Sequence, residues 1–536
     1  MKRLLDIYLC DILWIIVCTL LIALPASYEP HHFAIALLLG SVCQSLAYII
    51  LLFFIIRKYT ALKNLVFSAL FLLFCIESFT YLLFGSRLNP AILTLILQTS
   101  QQEIKEFFQT FILTFKGLFY LLLFIVIYWL IFKLLQSKKS IFYVGTFGIL
   151  LSILYIIFGI SLFWLPLPFP LGHNSFNQIF ISYQFIEKNH SEVHQMDALL
   201  DKIRILYSPK QDKASIIVFV IGESFNKHHS NLYGYRLPTS PLLTQEKNNE
   251  QLIVFNDVHT PTNGTAFAMK YFFTLKSCDN DYDGKYVLLP AVFKKAGYKV
   301  GYFDNQYTRS SSGSLDYSCV YFLNPQRINN YCFDLRNNET TTYDGDFISK
   351  YKKLFFKQNK LLNIIHLMGQ HFNASQRYPQ EYSKFSGEDI HRSDLSKSEC
   401  QQIAEYDNAT YYNDKVLGSI IDEFRQKDAV IIYVSDHGEQ IYDDDSHYFG
   451  RVFGSIYDVV TLKNVYQVPF MIWCSNQFIE KHPEKYNAIR LSSDKQMCID
   501  NVSYLLLDLA DINFNYYCPK RSIINNQYVL HKTIIN

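Results

Sequence analysis

Ala429-Val-Ile-Ile-Tyr-Val434 runs directly into Ser435-Asp-His-Gly-Glu439, and this junction decides the fold of the soluble half of the chain. A short apolar run rich in β-branched residues reads as a buried strand, and an acid and an imidazole straight after it read as metal ligands presented at its carboxyl end. A second run, Ser215–Gly222, ends on another acid, Glu223. Two strands delivering ligands to one edge imply an active site.

Working outward, runs at Tyr298–Phe303, Asn363–His366 and Pro469–Trp473 join Ile216–Ile221 and Val430–Val434 as strands separated by helical segments. That alternation predicts an α/β domain with a mainly parallel sheet covered by helices on both faces. In open sheets of this kind ligands gather beyond the carboxyl ends of the strands. Glu223, Asn305, His371, Asp436 and His437 all follow such ends closely.

The residue types specify the chemistry. Glu223, Asp436 and His437 would supply two carboxylates and one imidazole to an open zinc site, its fourth position left for a nucleophile or substrate. Taken alone, Asp436-His437-Gly438 also has a plainer reading, a polar turn after a strand, which carries less weight than the metal site. Thr260-Pro-Thr-Asn-Gly-Thr265, followed by AFAMKYFFTL, reads as a loop opening into a helix with Thr265 in its first turn. There the helix dipole and unpaired N–H groups favour an anionic oxygen or a phosphate. A metal on the same oxygen would lower its pKa and let it attack at neutral pH. An isolated threonine at this position is more often an N-cap; the surrounding sequence argues for the nucleophile.

The N-terminal part has a different texture. Of the 536 residues 50% are hydrophobic, and before about residue 165 they form long uninterrupted runs. Stretches near 7–27, 33–56, 64–85, 111–135 and 140–165 are each long enough to cross a bilayer, which takes roughly 20 apolar residues. Lys2 and Arg3, then Arg57, Lys58 and Lys63, then Lys133, Lys138 and Lys139 mark cytoplasmic segments, while Tyr28–His32 and the loop 86–110 are poorer in positive charge. Five crossings starting inside put everything after Pro166 outside, in the periplasm. The expected organisation is a five-helix membrane domain over 1–165, a linker and bridging helix over 166–210, and a catalytic domain over 211–536. Cys319 and Cys332 flank a short polar loop and are the best disulfide candidates. A formal charge of +2 offers no electrostatic case for nucleic acid as a partner.

VIGES with NLYGYRLPTSPLL (Val220–Leu243), GTA (264–266), HLMGQH (366–371), YDNATYYNDKVLG (406–418), SDHGE (435–439) and VPFMIW (468–473) together carry a resemblance. The chain is similar to bacterial phosphoethanolamine transferases, membrane-anchored members of the alkaline phosphatase and sulfatase superfamily. The resemblance implies a sulfatase-like catalytic domain with Thr265 as the phosphate-accepting nucleophile. Glu223, Asp436 and His437 become the zinc ligands beside that threonine oxygen. His371 and His447 match histidines that bind the phosphoethanolamine group or a second zinc. Asn305 falls where the family has a substrate-contacting asparagine, and Arg309 where some members have lysine, which keeps the charge but changes the geometry of phosphate contact. Gln98–Phe107 resembles a periplasmic helix that holds the lipid donor, with Thr99 and Glu103 on one face at i, i+4.

Pro261 and Tyr271 stand where many lipid A-modifying members carry two cysteines, and GES with LYGY is closer to the branch acting on core sugars or other glycans. The implied reaction is double displacement: phosphoethanolamine passes from phosphatidylethanolamine to Thr265 and then to an envelope glycolipid, lipid A or lipopolysaccharide core. A monomer at the inner membrane, embedded among membrane lipids, is the expected state. A phosphoglycerol transferase of the lipoteichoic acid synthase type, or a non-catalytic lipid-binding relative, would share much of the pattern. A true sulfatase would need a Cys-x-Pro-x-Arg sequence for its nucleophile, and none surrounds Thr265.

Overall fold

The computed structural model describes residues 6–28, 34–84, 88–89, 92–93, 96, 104–105, 107–136, 141–143, 174–210, 213–277, 285–307, 318–355, 357–443, 448–451 and 459–530. The chain divides into two compact units, Met1–Asn189 with Val452–Ile456, and His190–Arg451 with Tyr457–Asn536.

In the first unit the apolar runs form α1 (Leu9–Ala23), α2 (Ala34–Ile56), α3 (Thr60–Phe84) and α4 (Phe115–Leu135). Among the described residues three helical stretches are long and apolar enough to cross a bilayer, Cys10–Tyr28, Thr60–Leu82 and Gly117–Leu135, and Gly40–Ile56 is a shorter apolar helix. They coincide with the first, third, fourth and second expected spans. The fifth, 140–165, lies outside the described residues except for Ile141–Tyr143, which pairs antiparallel with Asp6–Tyr8. Trp14, Ile22, Phe53, Phe67 and Phe71 form the core of this unit. Tyr128 of α4 stacks on Phe67 at 5.5 Å and its hydroxyl pairs with Ser68 Oγ at 2.9 Å. Lys63 Nζ meets Asp11 Oδ1 at 2.7 Å, so the charge on α3 is neutralised by α1. A fifth helix, α5 (Ser175–Leu200), occupies the middle of the expected linker.

The second unit is built on a seven-stranded sheet: β1 (Ile216–Gly222), β2 (Leu252–Phe255), β3 (Lys299–Asp304), β4 (Leu335–Arg336), β5 (Leu361–His366), β6 (Ala429–Ser435) and β7 (Phe470–Cys474). Their spatial order is β2-β7-β6-β1-β5-β3-β4. The pairs β6–β1, β1–β5, β5–β3 and β3–β4 are parallel, whereas β7 runs antiparallel to both β6 and β2. The sheet is therefore mainly parallel, as expected, with one reversed strand.

Strand β1 explains why these runs are apolar without alternation. Ile217, Phe219 and Ile221 enter one core with Phe272, Leu289 and Leu505, while Ile216, Val218 and Val220 enter a second core with Ile403, Leu417 and Ile420. Side chains alternate between faces, so a strand covered on both sides must be apolar at every position. The first face takes α6 (Thr265–Phe273), and the second takes α7 (Lys397–Phe424), whose start is fixed by a capping box between Ser396 and Glu399.

Cys319 and Cys332 are both buried and no disulfide joins them, which corrects the expected pairing. Cys332 ends the helix Gln326–Cys332 and its thiol engages the Ala291 backbone, with burial pushing it up to about 12. Cys319 instead lies near the Tyr302 phenol. The two thiols act as small apolar core groups facing different neighbours.

Candidate active site

Register creates the site. In the parallel pair β1–β6, Gly222 sits opposite Ser435, so the next residue on each strand, Glu223 and Asp436, leaves the sheet at the same level. His437 comes immediately after. Ligand atoms of Glu223, Asp436 and His437 lie within 4.8 Å of one another, and all three side chains are fully buried. Gly222 is required here because a Cβ would collide with the Tyr433 hydroxyl.

The turn after β1 is held under strain. Ser224 is a non-glycine residue at φ 56°, a backbone region that costs about 1–3 kcal/mol unless its surroundings enforce it. Four contacts enforce it. Its N–H donates to Asp436 Oδ1 at 3.2 Å, its hydroxyl to Glu223 Oε1 at 2.7 Å, and its carbonyl accepts from the Tyr406 hydroxyl at 2.6 Å. The same Tyr406 oxygen accepts the Asn226 N–H at 2.7 Å. Tyr406 on α7 thereby fixes the positions of both acids.

Thr265 opens α6, with Gly264 as an extended N-cap that offers no side-chain bond. Helical bonding begins with Phe267 N–H to the Gly264 carbonyl at 3.1 Å, so the N–H groups of Thr265 and Ala266 precede the ladder. The Thr265 hydroxyl donates to Glu223 Oε2 at 3.0 Å and lies 3.5 Å from His437 Nε2. Gln306 Nε2 donates to Glu223 Oε2 at 3.2 Å and to the Leu367 carbonyl at 2.9 Å, tying the loop after β3 to the site.

The electrostatics describe a cluster that wants a cation. Burial raises the Glu223 carboxyl, but the His437 ring beside it outweighs burial and holds it well below the usual carboxylate range. Burial and then the Glu223 charge drive Asp436 well above that range. Two enclosed acids this close cannot both ionise without positive charge between them. Asp436 Oδ2 is buried with no hydrogen-bond partner, and His437 Nδ1 donates to the Gly438 carbonyl at 2.8 Å, which turns the Nε2 lone pair inward. An orphaned carboxylate oxygen, a second acid and an oriented imidazole fit a zinc ion.

Around this centre, His371 is buried and near enough that its ring lowers the Glu223 carboxyl. Gly369, at φ 53°, packs so closely that a Cβ would meet the Glu223 carbonyl at 2.8 Å. Asn305 lies at the end of β3, its amide donating to Asp344 Oδ1 at 2.8 Å and its Oδ1 accepting from the Thr341 N–H at 2.8 Å. Beyond the Glu223, Asp436 and His437 cluster, His229 Nδ1 pairs with Asp407 Oδ1 at 2.7 Å and its Nε2 with Asp443 Oδ1 at 3.4 Å, while Tyr235 donates to Asp407 Oδ2 at 2.7 Å. Burial alone would lower the His229 ring, but the Asp407 charge and hydrogen bond overcome it and hold the ring at about 10. His447, Arg309, Thr99 and Glu103 lie outside the described residues.

Sequence reading put Glu223, Asn305, His371, Asp436 and His437 at one strand edge and Thr265 in the first turn of a helix; the structure gathers Glu223, Thr265, Asp436 and His437 with His371 close by, and ties Asn305 to Asp344 and Thr341. Sequence reading missed Ser224, Tyr406, Gln306 and Arg451. Ser224 and Tyr406 lie inside the quoted GES and YDNAT motifs, and only three-dimensional contact reveals their work. Arg451 donates to His437 Nε2 at 2.7 Å and to the Asn263 carbonyl at 3.2 Å, from a stretch with no strand or helix signal.

A Sulfatase family model matches residues 215–512. Phosphoethanolamine transferase EptC of Escherichia coli O18:K1:H7 (strain RS218 / NMEC) is 30% identical over 320 residues, 58% of this chain and 53% of that protein, so the chain spans about half the length of this curated relative. The crystal structure of the C-terminal periplasmic domain of EcEptC from Escherichia coli, in complex with Zn, matches at TM-score 0.52 and 27% identity, covering 61% of this chain and 90% of that one. The integral membrane protein lipooligosaccharide phosphoethanolamine transferase A (EptA) from Neisseria meningitidis matches at TM-score 0.67 and 16% identity over 95% of this chain and 97% of that one, a likeness of fold along nearly the full length.

Proposed function

The chain belongs to the sulfatase family, whose model covers residues 215–512, and from that premise we propose that it transfers phosphoethanolamine from phosphatidylethanolamine to an envelope glycolipid, lipid A or lipopolysaccharide core. The observation that carries this reading is the Thr265 hydroxyl at the start of α6, 3.0 Å from Glu223, one of three buried side chains grouped closely enough to hold a metal ion. Likeness to EptC, a named phosphoethanolamine transferase, supports the headgroup, and the zinc complex of its periplasmic domain supports the metal.

Thr265 Oγ1 forms a bond to phosphorus while the P–O bond to diacylglycerol breaks. The threonine hydroxyl, oriented by its hydrogen bond to Glu223 Oε2, gives up its proton to solvent, and diacylglycerol leaves as the alcohol after taking up a proton. A second displacement moves phosphoethanolamine from Thr265 to an acceptor hydroxyl or phosphate. A zinc ion held by Glu223, Asp436 and His437 would supply Lewis-acid activation of the threonine oxygen and offset charge on the phosphoryl group. The N–H groups of Thr265 and Ala266 face the developing negative charge.

His371 and His447 are proposed to take the phosphoethanolamine group or a second zinc, and Asn305, Arg309, Thr99 and Glu103 to contact the lipid donor. The catalytic unit works in the periplasm as part of a monomer anchored by several membrane helices. If the acceptor is a lipid A phosphate, the product carries less negative surface charge and binds cationic peptides more weakly. Mass spectrometry of envelope glycolipids from cells expressing wild type or Thr265→Ala tests the reading. The phosphoethanolamine adduct disappears in the variant; an adduct that persists refutes the role of Thr265.

A further inference from the structure

Arg451 occupies a position that the reaction cannot leave unchanged. Its Nη1 donates to His437 Nε2 at 2.7 Å. Because His437 Nδ1 is committed to the Gly438 carbonyl, Nε2 has a single lone pair to offer. A metal ion and a guanidinium N–H cannot share that pair. Binding of an ion therefore obliges the guanidinium to move off.

Another of its contacts lies beside the nucleophile. The same Nη1 donates to the carbonyl of Asn263 at 3.2 Å, in the loop that opens α6, two residues before Thr265. Thr265 Oγ1 is itself 3.5 Å from His437 Nε2. The guanidinium and the nucleophile thus flank one imidazole nitrogen, and a group released from it stays at the mouth of the nucleophile's helix. A phosphoryl group on Thr265 projects its non-bridging oxygens into that space. A planar fork of N–H donors is well suited to two such oxygens.

We propose that Arg451 works in two positions: it caps His437 Nε2 while no ion is held, and it takes the phosphoryl oxygens of the headgroup once His437 ligates the metal. This rests on the reading of Thr265 as the phosphoryl acceptor. The ligand class of the second position is a tetrahedral phosphate ester or phosphate anion. Arg451 is then a metal-gating residue as well as a substrate contact, and it joins the site from a segment that lacks any strand-end signal.

The test uses the full chain in detergent micelles, stripped with chelator. Isothermal titration measures zinc binding to the wild type, Arg451→Gln and Arg451→Lys, and then inorganic phosphate binding to each zinc-loaded protein. Loss of a charge-assisted hydrogen bond that competes with the ion tightens zinc binding roughly tenfold in Arg451→Gln, and loss of the fork weakens phosphate binding by at least about tenfold. Arg451→Lys, which keeps the charge but not the fork, gives intermediate phosphate affinity and serves as the folding control. Zinc affinity that is unchanged or weaker in Arg451→Gln overturns the capping position, and unchanged phosphate affinity overturns the substrate position. Either result defeats the proposal. Headgroup transfer by Thr265→Ala, measured in the same micelles, separates this from the underlying reading: if that variant still transfers, the reading fails; if transfer is lost while Arg451→Gln binds both ligands like wild type, only the role of Arg451 fails.

Discussion

In the catalytic unit Phe219 and Phe272 meet edge to face at 5.5 Å, both almost wholly buried, whereas on α4 of the membrane unit Leu122 is 61% and Trp129 55% exposed. Strand β1 and helix α4 are both almost wholly apolar in sequence, so local composition does not separate them. Run length and interruption do. In the catalytic unit apolar runs stop after five to seven residues, as in β1, β6 and β7, and β1 and β6 give way to the acids Glu223 and Asp436; in the membrane unit α3 continues for 25 residues. Exposure of large apolar groups over a whole helix is stable only where the surroundings are themselves apolar.

The contrast can be broken by truncating apolar groups in each region. The largest loss is expected for Phe272→Ala, which opens a cavity beneath the helix that carries Thr265: about 3–5 kcal/mol, measured by urea denaturation of the micelle-solubilised chain. A loss below about 1 kcal/mol would mean that the core around α6 is able to collapse.

An intermediate effect is expected from charge within the catalytic unit. His229 is held at about 10, above its ordinary 6.5, so the folded state binds its proton more tightly than the unfolded chain. Its contribution is complete below about pH 6.5 and disappears as pH rises through about 10. Thermal stability should fall across that window in the wild type, and His229→Gln should flatten the slope. A wild-type profile that rises with pH there would show that His229 is neutral in the folded protein. The smallest effect is expected on α4: Leu122→Ala should change stability by no more than about 0.5 kcal/mol in lipid nanodiscs, because the side chain exchanges one apolar environment for another.

The same contrast explains what the sequence disclosed. The five strands read from it are the longest of the sheet, where β-branched runs end abruptly on Glu223 and Asp436. Edge strands β2 and β4 escaped because four and two residues are too few to carry a pattern. The reversal of β7 escaped because strand direction leaves no trace in composition. At the site, Glu223, Thr265, Asp436 and His437 were legible as residues just past an element boundary. Gln306 and Arg451 were not, since each arrives on a long side chain from a loop. In the membrane unit run length located α1 to α4, while the pairing of Asp11 with Lys63 depends on how those helices meet.

The reversed strand has an evolutionary consequence. Since β6 finishes and β7 starts at the same margin of the sheet, the chain leaves the scaffold at Asp436 and rejoins it at Phe470 on the side where Glu223 and His437 lie. Changes of length between these two strands leave the registry of the sheet untouched, so selection can reshape the stretch around Asp436, His437 and Arg451 without rebuilding the scaffold that carries Glu223 and Thr265.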